Sequence, residues 1–313
     1  MCNKKKLPIV LLLLIDLMLI AVYVIGFYGL YYRIPRQLNK SMTAKAEEQV
    51  ASSVTLADQF SRYFSATVEL TDTSYKSNDI SISVTKHTTG SKEDTVTFYI
   101  ADIYLSDITC LQSGFADDTY GIGYTDRVLA MDQSLNAILA INGDYYGNGD
   151  NGVVLRNGKL FRSTENYSDV CVLYCDGTMK TFTPGTFDAE QAIRDGAWQA
   201  WSFGPELLDE EGKHMTEFNT DWHISKLNPR SAIGYYEPGH YCMVVVDGRQ
   251  NGYSKGMTMT ELSMLFETLG CKVAYNLDGG KSSSMTFSDS EVNHPCDGGR
   301  EVSDCIIIKE AEK

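Results

Sequence analysis

Three short apolar segments of this chain each end in Asn or Asp beside glycine, as expected where a strand delivers polar groups to a site. The segment at 273–285 is the richest, because a carboxylate, two glycines, a lysine and three serines follow its apolar run. Residues 138–146 and 243–249 end similarly, on Asn-Gly-Asp and Asp-Gly-Arg. Glycine permits positive φ and a close approach of the backbone to a ligand. The pattern therefore predicts one polar site assembled from three strand ends.

The carboxylates of these strand ends suit glycoside hydrolysis, in which paired carboxylates act around an anomeric carbon. Asp278, Asp144 and Asp247 each follow an apolar run. Asp-Gly also forms plain tight turns, and for Asp144 and Asp247 both interpretations stay open. Calcium binding competes with catalysis at the second strand end, although the spacing does not fit an EF-hand. The oxygen ligands there would be Asp144, Asn148, Asp150 and Asn151.

Arginines near these segments are candidates for gripping an anion. Arg230 follows Pro229 and precedes an apolar strand, and a guanidinium fork matches phosphate bidentately. Arg249 and Arg300 are second choices, because surface salt bridges explain such residues equally well. Lys281 lies inside the richest segment and would add a further cation.

Composition and motifs exclude several function classes. The net charge of −14 argues against nucleic acid as a partner, because phosphate backbones need a basic surface. Gly280-Lys281-Ser282 imitates the end of a phosphate-binding loop, but Tyr275 stands where that motif needs its first glycine. The histidines lack the spacing of a zinc site.

The N-terminal region predicts a membrane anchor. Residues 7–32 are mostly apolar, and about 20 such residues suffice to cross a bilayer. Three lysines precede them, which favours a cytoplasmic N-terminus and an extracellular body at the cell membrane. A cleaved signal peptide is the alternative. We therefore predict a cytoplasmic tail at 1–6, an anchor at 7–32, a helical stalk at 33–75 and one domain at 76–313.

The elements of that domain predict an α/β or α+β fold with a mixed sheet and packed helices. The clearest helix spans 259–269, with Thr258 and Glu261 at capping-box spacing and Gly270 as its stop. It joins strands predicted at 241–247 and 272–277 into a β-α-β unit. A right-handed crossover would place both strand ends on one edge, where α/β sheets keep their sites.

Taken together, these segments resemble the phosphodiester glycosidase family, over residues 80–309. The family pattern reads Asn-Leu-Asp-Gly-Gly-Gly-Ser-Ser, and here Lys281 stands in place of the third glycine. The segments that carry the resemblance are 142–146, 202–205, 229–234, 246–249, 256–262, 276–283 and 300–304.

The resemblance implies hydrolysis of an N-acetylglucosamine-type sugar 1-phosphodiester at its anomeric bond, on cell-wall or exopolysaccharide material. Asp278 would be the acting carboxylate, Asp144 its partner, and Arg230 the cation that stabilises the leaving phosphate. The implied substrate contacts are Asn142, Asp247, Arg249, Asn276, Gly279, Gly280, Lys281, Ser282 and Ser283. Three alternatives remain: a non-catalytic glycan-binding or assembly protein, a glycosidase for ordinary glycosides, and a metal-dependent phosphodiesterase that cleaves P–O.

Overall fold

The structure is a computed structural model that describes residues 9–27, 56–164 and 167–311. Its helices are α1 (Ile9–Phe27), α2 (Ala57–Phe60), α3 (Val128–Leu135), α4 (Ala189–Arg194), α5 (Trp222–Ser225) and α6 (Met259–Leu269). Its strands are β1 (Glu69–Leu70), β2 (Ser74–Lys76), β3 (Ile80–Thr89), β4 (Val96–Leu105), β5 (Leu111–Phe115), β6 (Leu139–Asn142), β7 (Val153–Arg156), β8 (Lys159–Ser163), β9 (Val170–Tyr174), β10 (Met179–Phe182), β11 (Ala197–Trp201), β12 (Arg230–Glu237), β13 (His240–Val246), β14 (Val273–Asn276), β15 (Met285–Phe287), β16 (Ser290–Glu291) and β17 (Asp304–Ile308).

The strands form three sheets, and every strand pair in the described ranges is antiparallel. Sheet A has the order β1-β2-β3-β4-β13-β12-β14, sheet B the order β16-β15-β6-β17-β5, and sheet C the order β10-β9-β11-β7-β8. The α+β class is thus confirmed, but the predicted mixed sheet is wrong. The β-α-β unit would have made its two strands parallel neighbours, but β12 lies between them and pairs antiparallel with both.

The predicted β-α-β unit forms with one strand inserted. The capping box of Thr258 and Glu261 begins α6, and left-handed Gly270 ends it. Strands β13 and β14 both pair antiparallel with β12, so they run parallel to each other with β12 between them. Their ends therefore share an edge, as predicted, but Asp247 and Asp278 are separated by the start of β12, which is Arg230.

Successive side chains along a strand point alternately into a core shared by the three sheets and toward a helix on the outer face of the sheet. In β13, Val245 points into the core common to all three sheets, whereas Val244 packs with Phe266 of α6. Sheets B and C repeat this arrangement with α3 and α4 on their outer faces. A strand with both faces buried reads as a continuous apolar run. The site-bearing strand ends are therefore fixed from both sides.

The N-terminal predictions meet the structure only in part. No helix in the described ranges combines the length and hydropathy that a membrane crossing requires, so the anchor at 7–32 gains no support and stays a prediction. Residues 28–55, most of the predicted stalk, lie outside the described residues. The helical stalk predicted to end at 75 instead gives way to β1 and β2, which pair with each other and extend sheet A. A turn closed by Thr71 and Ser74 makes that hairpin possible.

Asp132 is a buried carboxylate within the helix that covers sheet B. It is 0% exposed, and neither of its oxygens has a well-formed hydrogen bond within the described residues. Burial, with a smaller contribution from Asp289, raises the pKa of Asp132 to about 7. Because the folded state holds this proton more tightly than the unfolded state, stability is lost as pH rises from about 4 to about 7.

We expect Asp132→Asn to remove this loss and to raise the free energy of unfolding by about 2–4 kcal/mol above pH 7. Urea unfolding of both proteins between pH 4 and 8 measures it. The matched control is Asp72→Asn, at an exposed carboxylate, which should leave the pH profile unchanged. Equal pH profiles for the Asp132 variant and the parent would contradict the prediction.

Candidate active site

Asn142 joins sheet A to sheet B at the shared edge. Its amide nitrogen donates to the main-chain oxygen of Asp278 at 2.7 Å, and its amide oxygen accepts from the Ser231 hydroxyl at 2.7 Å. The Asp278 amide in turn donates to the Gly143 carbonyl at 3.3 Å. These bonds bring the ends of β6 and β14 together, so two of the three predicted strand ends build one site.

The loop after β14 depends on its glycines. A Cβ added to Gly279 would lie 2.7 Å from the Pro229 carbonyl oxygen, so only glycine fits this close approach. Gly280 has φ +67 and opens a 3-10 turn, Gly280–Ser282. Lys281 keeps a negative φ in this turn. The lysine that replaces the third glycine of the family pattern is therefore accommodated without backbone strain.

The Asp278 carboxylate sits at the mouth of this loop. Its Oδ2 pairs with Arg300 Nη2 at 2.6 Å and accepts the Ser282 hydroxyl, which itself accepts from Arg300 Nε. The Asp278 side chain is 9% exposed, against 37% for Arg300. Burial raises the pKa of Asp278, while the Arg300 charge opposes the rise. Burial thus makes the carboxylate a stronger base than an exposed aspartate, and the charge of Arg300 limits that effect.

Arg300, predicted only as a second-choice anion contact, lies at the centre of the candidate site. Its guanidinium lies 4.5 Å from the ring centroid of Tyr145, a cation–π arrangement. Tyr145 holds φ +65, a left-handed conformation that is uncommon for a bulky side chain. Strain of this kind persists where the surrounding structure enforces it, often at functional sites. The sequence signals for this contact were limited to the adjacent Tyr145 and Tyr146 and an arginine near the C-terminal end.

Arg249 and Lys281 lie on the exposed side of the same loop. Arg249 also holds a left-handed φ of +58, and its Nη2 donates to Asn228 Oδ1 at 2.6 Å. A Cβ added to Gly280 would lie 3.3 Å from Arg249 Nη1, so this guanidinium rests over the glycine. Lys281 pairs with Asp297 at 2.8 Å, both side chains being largely exposed. The exposed positive charge of the site therefore comes from Arg249, Lys281 and Arg300.

Arg230, the predicted anion grip, is buried beneath this surface. It is 2% exposed and donates to the carbonyl oxygens of Met257, at 3.0 Å, and of Lys226. Burial, and then repulsion from Arg249, lowers the pKa of Arg230 to about 10. The structure thus places Arg230 as the residue that holds two loops at the edge of sheet A. Because its guanidinium is buried, Arg230 affects the surface only through its electrostatic potential.

Asp144 is also turned inward, into an ion triad that the sequence did not predict. Arg156 of β7 pairs with Asp144 at 2.7 Å and with Asp304 of β17 at 2.9 Å, and all three side chains are at most 1% exposed. The second Asp144 oxygen accepts from the Ser202 amide at 2.9 Å. Burial raises the pKa of Asp304 to about 7 against the opposing effect of Arg156. An arginine closing the apolar run Val-Val-Leu-Arg was the available signal.

The remaining predicted contacts brace the backbone around the site. Asp247 is 1% exposed and accepts from Tyr253 at 2.8 Å, from Asn293 at 2.8 Å and from the His294 amide at 3.1 Å. Burial raises the pKa of Asp247. Asn276 donates to the Gly204 carbonyl at 2.8 Å. The predicted contacts Asn142, Asn276, Ser282 and Ser283 are each at most 1% exposed.

Metal binding finds no cluster to support it in the described ranges. No group of three or more His, Cys, Asp or Glu side chains there has the spacing to hold an ion. Both oxygens of Asp144 are engaged by Arg156 and Ser202. Calcium at the second strand end therefore stays a prediction without geometric support.

The site lies inside a recognised family domain. The model of the phosphodiester glycosidase family matches residues 135–309, more than half of the chain. The chain belongs to the phosphodiester glycosidase family. The matched segment contains the whole cluster around Asp278, including Arg300 and the Arg156 triad. Membership indicates a glycosidase-type hydrolase.

The chain is similar to one curated protein and to two solved structures. The SPbeta prophage-derived uncharacterized protein YomE of Bacillus subtilis (strain 168) is 30% identical over 196 residues, which are 60% of this chain and 30% of that protein. The catalytic domain of zebrafish N-acetylglucosamine-1-phosphodiester alpha-N-acetylglucosaminidase, auto-inhibited by its pro-peptide, aligns with TM-score 0.59 and 19% identity over 74% of this chain and 84% of that one. A hypothetical protein from Synechocystis gives TM-score 0.57 and 13% identity over 78% and 64% of the two chains. At these identities the two structures show a shared fold alone.

We expect Arg156→Met to lower the free energy of unfolding by about 3–5 kcal/mol, because it leaves two buried carboxylates without a cation. Chemical denaturation of the variant measures the loss. Adding Asp304→Asn should restore part of it, since one unpaired charge is then removed. The exposed Arg194→Met is the matched control and should change stability by less than about 0.5 kcal/mol. A loss at Arg156 no larger than at Arg194 would disprove a structural role for the triad.

Proposed function

We propose that this enzyme hydrolyses a sugar 1-phosphodiester of the N-acetylglucosamine type at its anomeric C–O bond. The observation that carries the proposal is the Asp278–Arg300 pair at 2.6 Å, in which the carboxylate is 9% and the guanidinium side chain 37% exposed. Arg249 flanks this pair and lies over Gly280. Three neighbouring loops supply this carboxylate and the two arginines. The carboxylate suits the anomeric carbon of a sugar, and the arginines suit an anionic leaving group. Family membership supports the same chemistry.

The bond-breaking step needs little acid catalysis. As the anomeric C–O bond breaks, its electron pair leaves with the phosphate, which is already a stable anion. Exposed guanidinium groups of Arg249 and Arg300 stabilise that charge, and Lys281 extends the positive surface. Arg230 contributes from below through the electrostatic potential and by holding its two loops.

Asp278 acts on the sugar side. Its contacts with Ser282 and Arg300 both fall on Oδ2, and the Gly279 amide also donates to the carboxylate. We assign this carboxylate to the attacking water or to the positive charge that develops at the anomeric carbon. Asp144 supports this role indirectly, since its backbone neighbour Gly143 accepts the Asp278 amide hydrogen. The pair of carboxylates expected from the sequence thus becomes one reactive group and one supporting group.

The location and polymer are part of the proposal. Three lysines before the apolar residues 7–32 favour a body outside the cell membrane. Because the net charge of the chain is −14, an anionic substrate would have to be bound by a few local cations, as Arg249, Lys281 and Arg300 provide. We therefore propose cell-wall or exopolysaccharide phosphodiesters as the material on which it acts.

A non-catalytic glycan-binding role is the second candidate. Lys281 favours it, because the lysine departs from the family pattern and pairs with Asp297 at the rim of the site. Such a protein would bind a sugar 1-phosphodiester and leave it intact.

We expect Asp278→Asn to reduce turnover of UDP-N-acetylglucosamine, or of a teichoic-type sugar 1-phosphodiester, by about 10²–10⁴-fold. The melting temperature of the variant should equal that of the parent. The full chain would be assayed in oxygen-18 water with and without chelator. Label in the released sugar is expected, since the C–O bond breaks. Label in the phosphate would mean P–O cleavage, and binding without turnover by the parent would establish the glycan-binding role.

We expect the acid limb of kcat/KM to follow the ionisation of Asp278. Activity requires the carboxylate, so it falls as pH drops through a pKa that burial has raised. Arg300→Gln removes the opposing charge and should move this limb to higher pH by about one unit. Lys281→Gln is the matched control and should leave the limb in place, because its ammonium pairs with Asp297. An unmoved limb in the Arg300 variant would assign the titration to another group.

A further inference from the structure

Two of the buried cysteines lie face to face. All seven cysteines in the described ranges are free and buried. Cys242 Sγ lies 3.7 Å from Cys271 Sγ. Cys296 and Cys305 are not bonded to each other, and the Cys305 sulfur contacts the Gly114 carbonyl oxygen at 3.7 Å. Cys242 and Cys271 are therefore distinguished by geometry from the isolated thiols.

A glycine creates the space in which these sulfurs meet. Gly234 of β12 pairs with Cys242 of β13 on one side and with Ala274 of β14 on the other. A Cβ added to Gly234 would lie 2.8 Å from the Cys242 sulfur and 2.9 Å from the Cys271 sulfur. Any larger residue would occupy the gap, so the glycine lets two sulfurs from either side of β12 share one position.

We propose that Cys242 and Cys271 form a disulfide when the chain folds in an oxidising compartment. The oxidant is a protein or small-molecule disulfide. One cysteine, as thiolate, attacks that disulfide and releases one reduced thiol from it, which leaves a mixed disulfide. The other cysteine then attacks its partner's sulfur and releases the second thiol. Two cysteine hydrogens leave as protons, and two electrons reduce the oxidant's S–S bond.

The bond must form before the core closes. Burial, reinforced by the neighbouring thiol, raises the pKa of Cys242 well above its ordinary value, so the reactive thiolate is disfavoured in the finished fold. Once formed, the disulfide would be shielded from reductants for the same reason, because Cys242 is 0% and Cys271 3% exposed. The pair is thus a structural cross-link in the oxidised protein and a stable dithiol in the reduced one.

The cross-link would fasten the part of the sheet that carries the site. It ties β13 to the end of α6, directly before β14, and so closes a loop that contains Asp247, Arg249 and the whole helix. Asp278 follows β14 immediately. A disulfide that closes a loop of this length limits the unfolded chain more than the folded one.

The test uses the full chain secreted into an oxidising bacterial periplasm and purified without reductant. After denaturation and alkylation, we expect the Cys242 and Cys271 peptides to be joined and two hydrogens lighter than the separate thiols. Cys242→Ala should lower the melting temperature by on the order of 10 °C relative to the oxidised parent. The same variant should differ much less from the parent produced in a reducing cytoplasm, which separates loss of the bond from loss of packing.

The matched control is Cys171→Ala, at a free and fully buried thiol of β9 in sheet C. Its stability cost should be the same for oxidised and reduced preparations. Alkylation of both Cys242 and Cys271 before any reduction would overturn the proposal, and so would a cross-link of either residue to a different cysteine.

Discussion

The guanidinium of Arg156, held between Asp144 and Asp304, is the interaction on which the site depends. Arg156 belongs to sheet C, whereas both carboxylates follow or begin strands of sheet B. An isolated charge at such depth would be strongly disfavoured, so each member is tolerable only because the others are present. This mutual requirement fixes the two sheets against each other. It also orients the main chain at Gly143, which receives the amide of Asp278.

Side-chain exposure increases outward from that triad, and the outermost side chains are arginines. Arg156 and Asp304 are fully enclosed, Asp278 is slightly exposed, and Arg300 and Arg249 reach solvent. The left-handed backbone of Tyr145 and Arg249 lies where this gradient meets the surface. Conformations of this kind cost free energy that the surrounding sheets must offset. The rigid interior thus supports a small surface patch whose local geometry is unfavourable by itself.

Local signals in the sequence predicted those parts of the fold that local physics determines. The capping box at the start of α6 and the glycine stop at its end depend on residues a few positions apart. The insertion of β12 between β13 and β14 depends on pairing across distant segments, which periodicity does not encode. For the candidate site, the sequence indicated loops that meet at one edge of sheet A, but not which of their side chains face outward. Strand alternation places Arg156 inward, yet only its two distant carboxylates reveal why a charge is tolerated there.

The polar residues of the segments that carry the family resemblance therefore divide into two groups, one that supports the interior and one that faces solvent. Asn142, Asn276 and Ser282 satisfy backbone or carboxylate groups inside the protein, and any change there would leave buried partners unpaired. Lys281 stands in the same stretch, but its side chain leaves the turn and meets Asp297 in solvent. A position of that kind can vary without disturbing the scaffold, because it neither needs positive φ nor fills the interior. Variation in the motif thus changes the charge presented to a ligand while the carboxylate and its arginine stay where the sheets hold them.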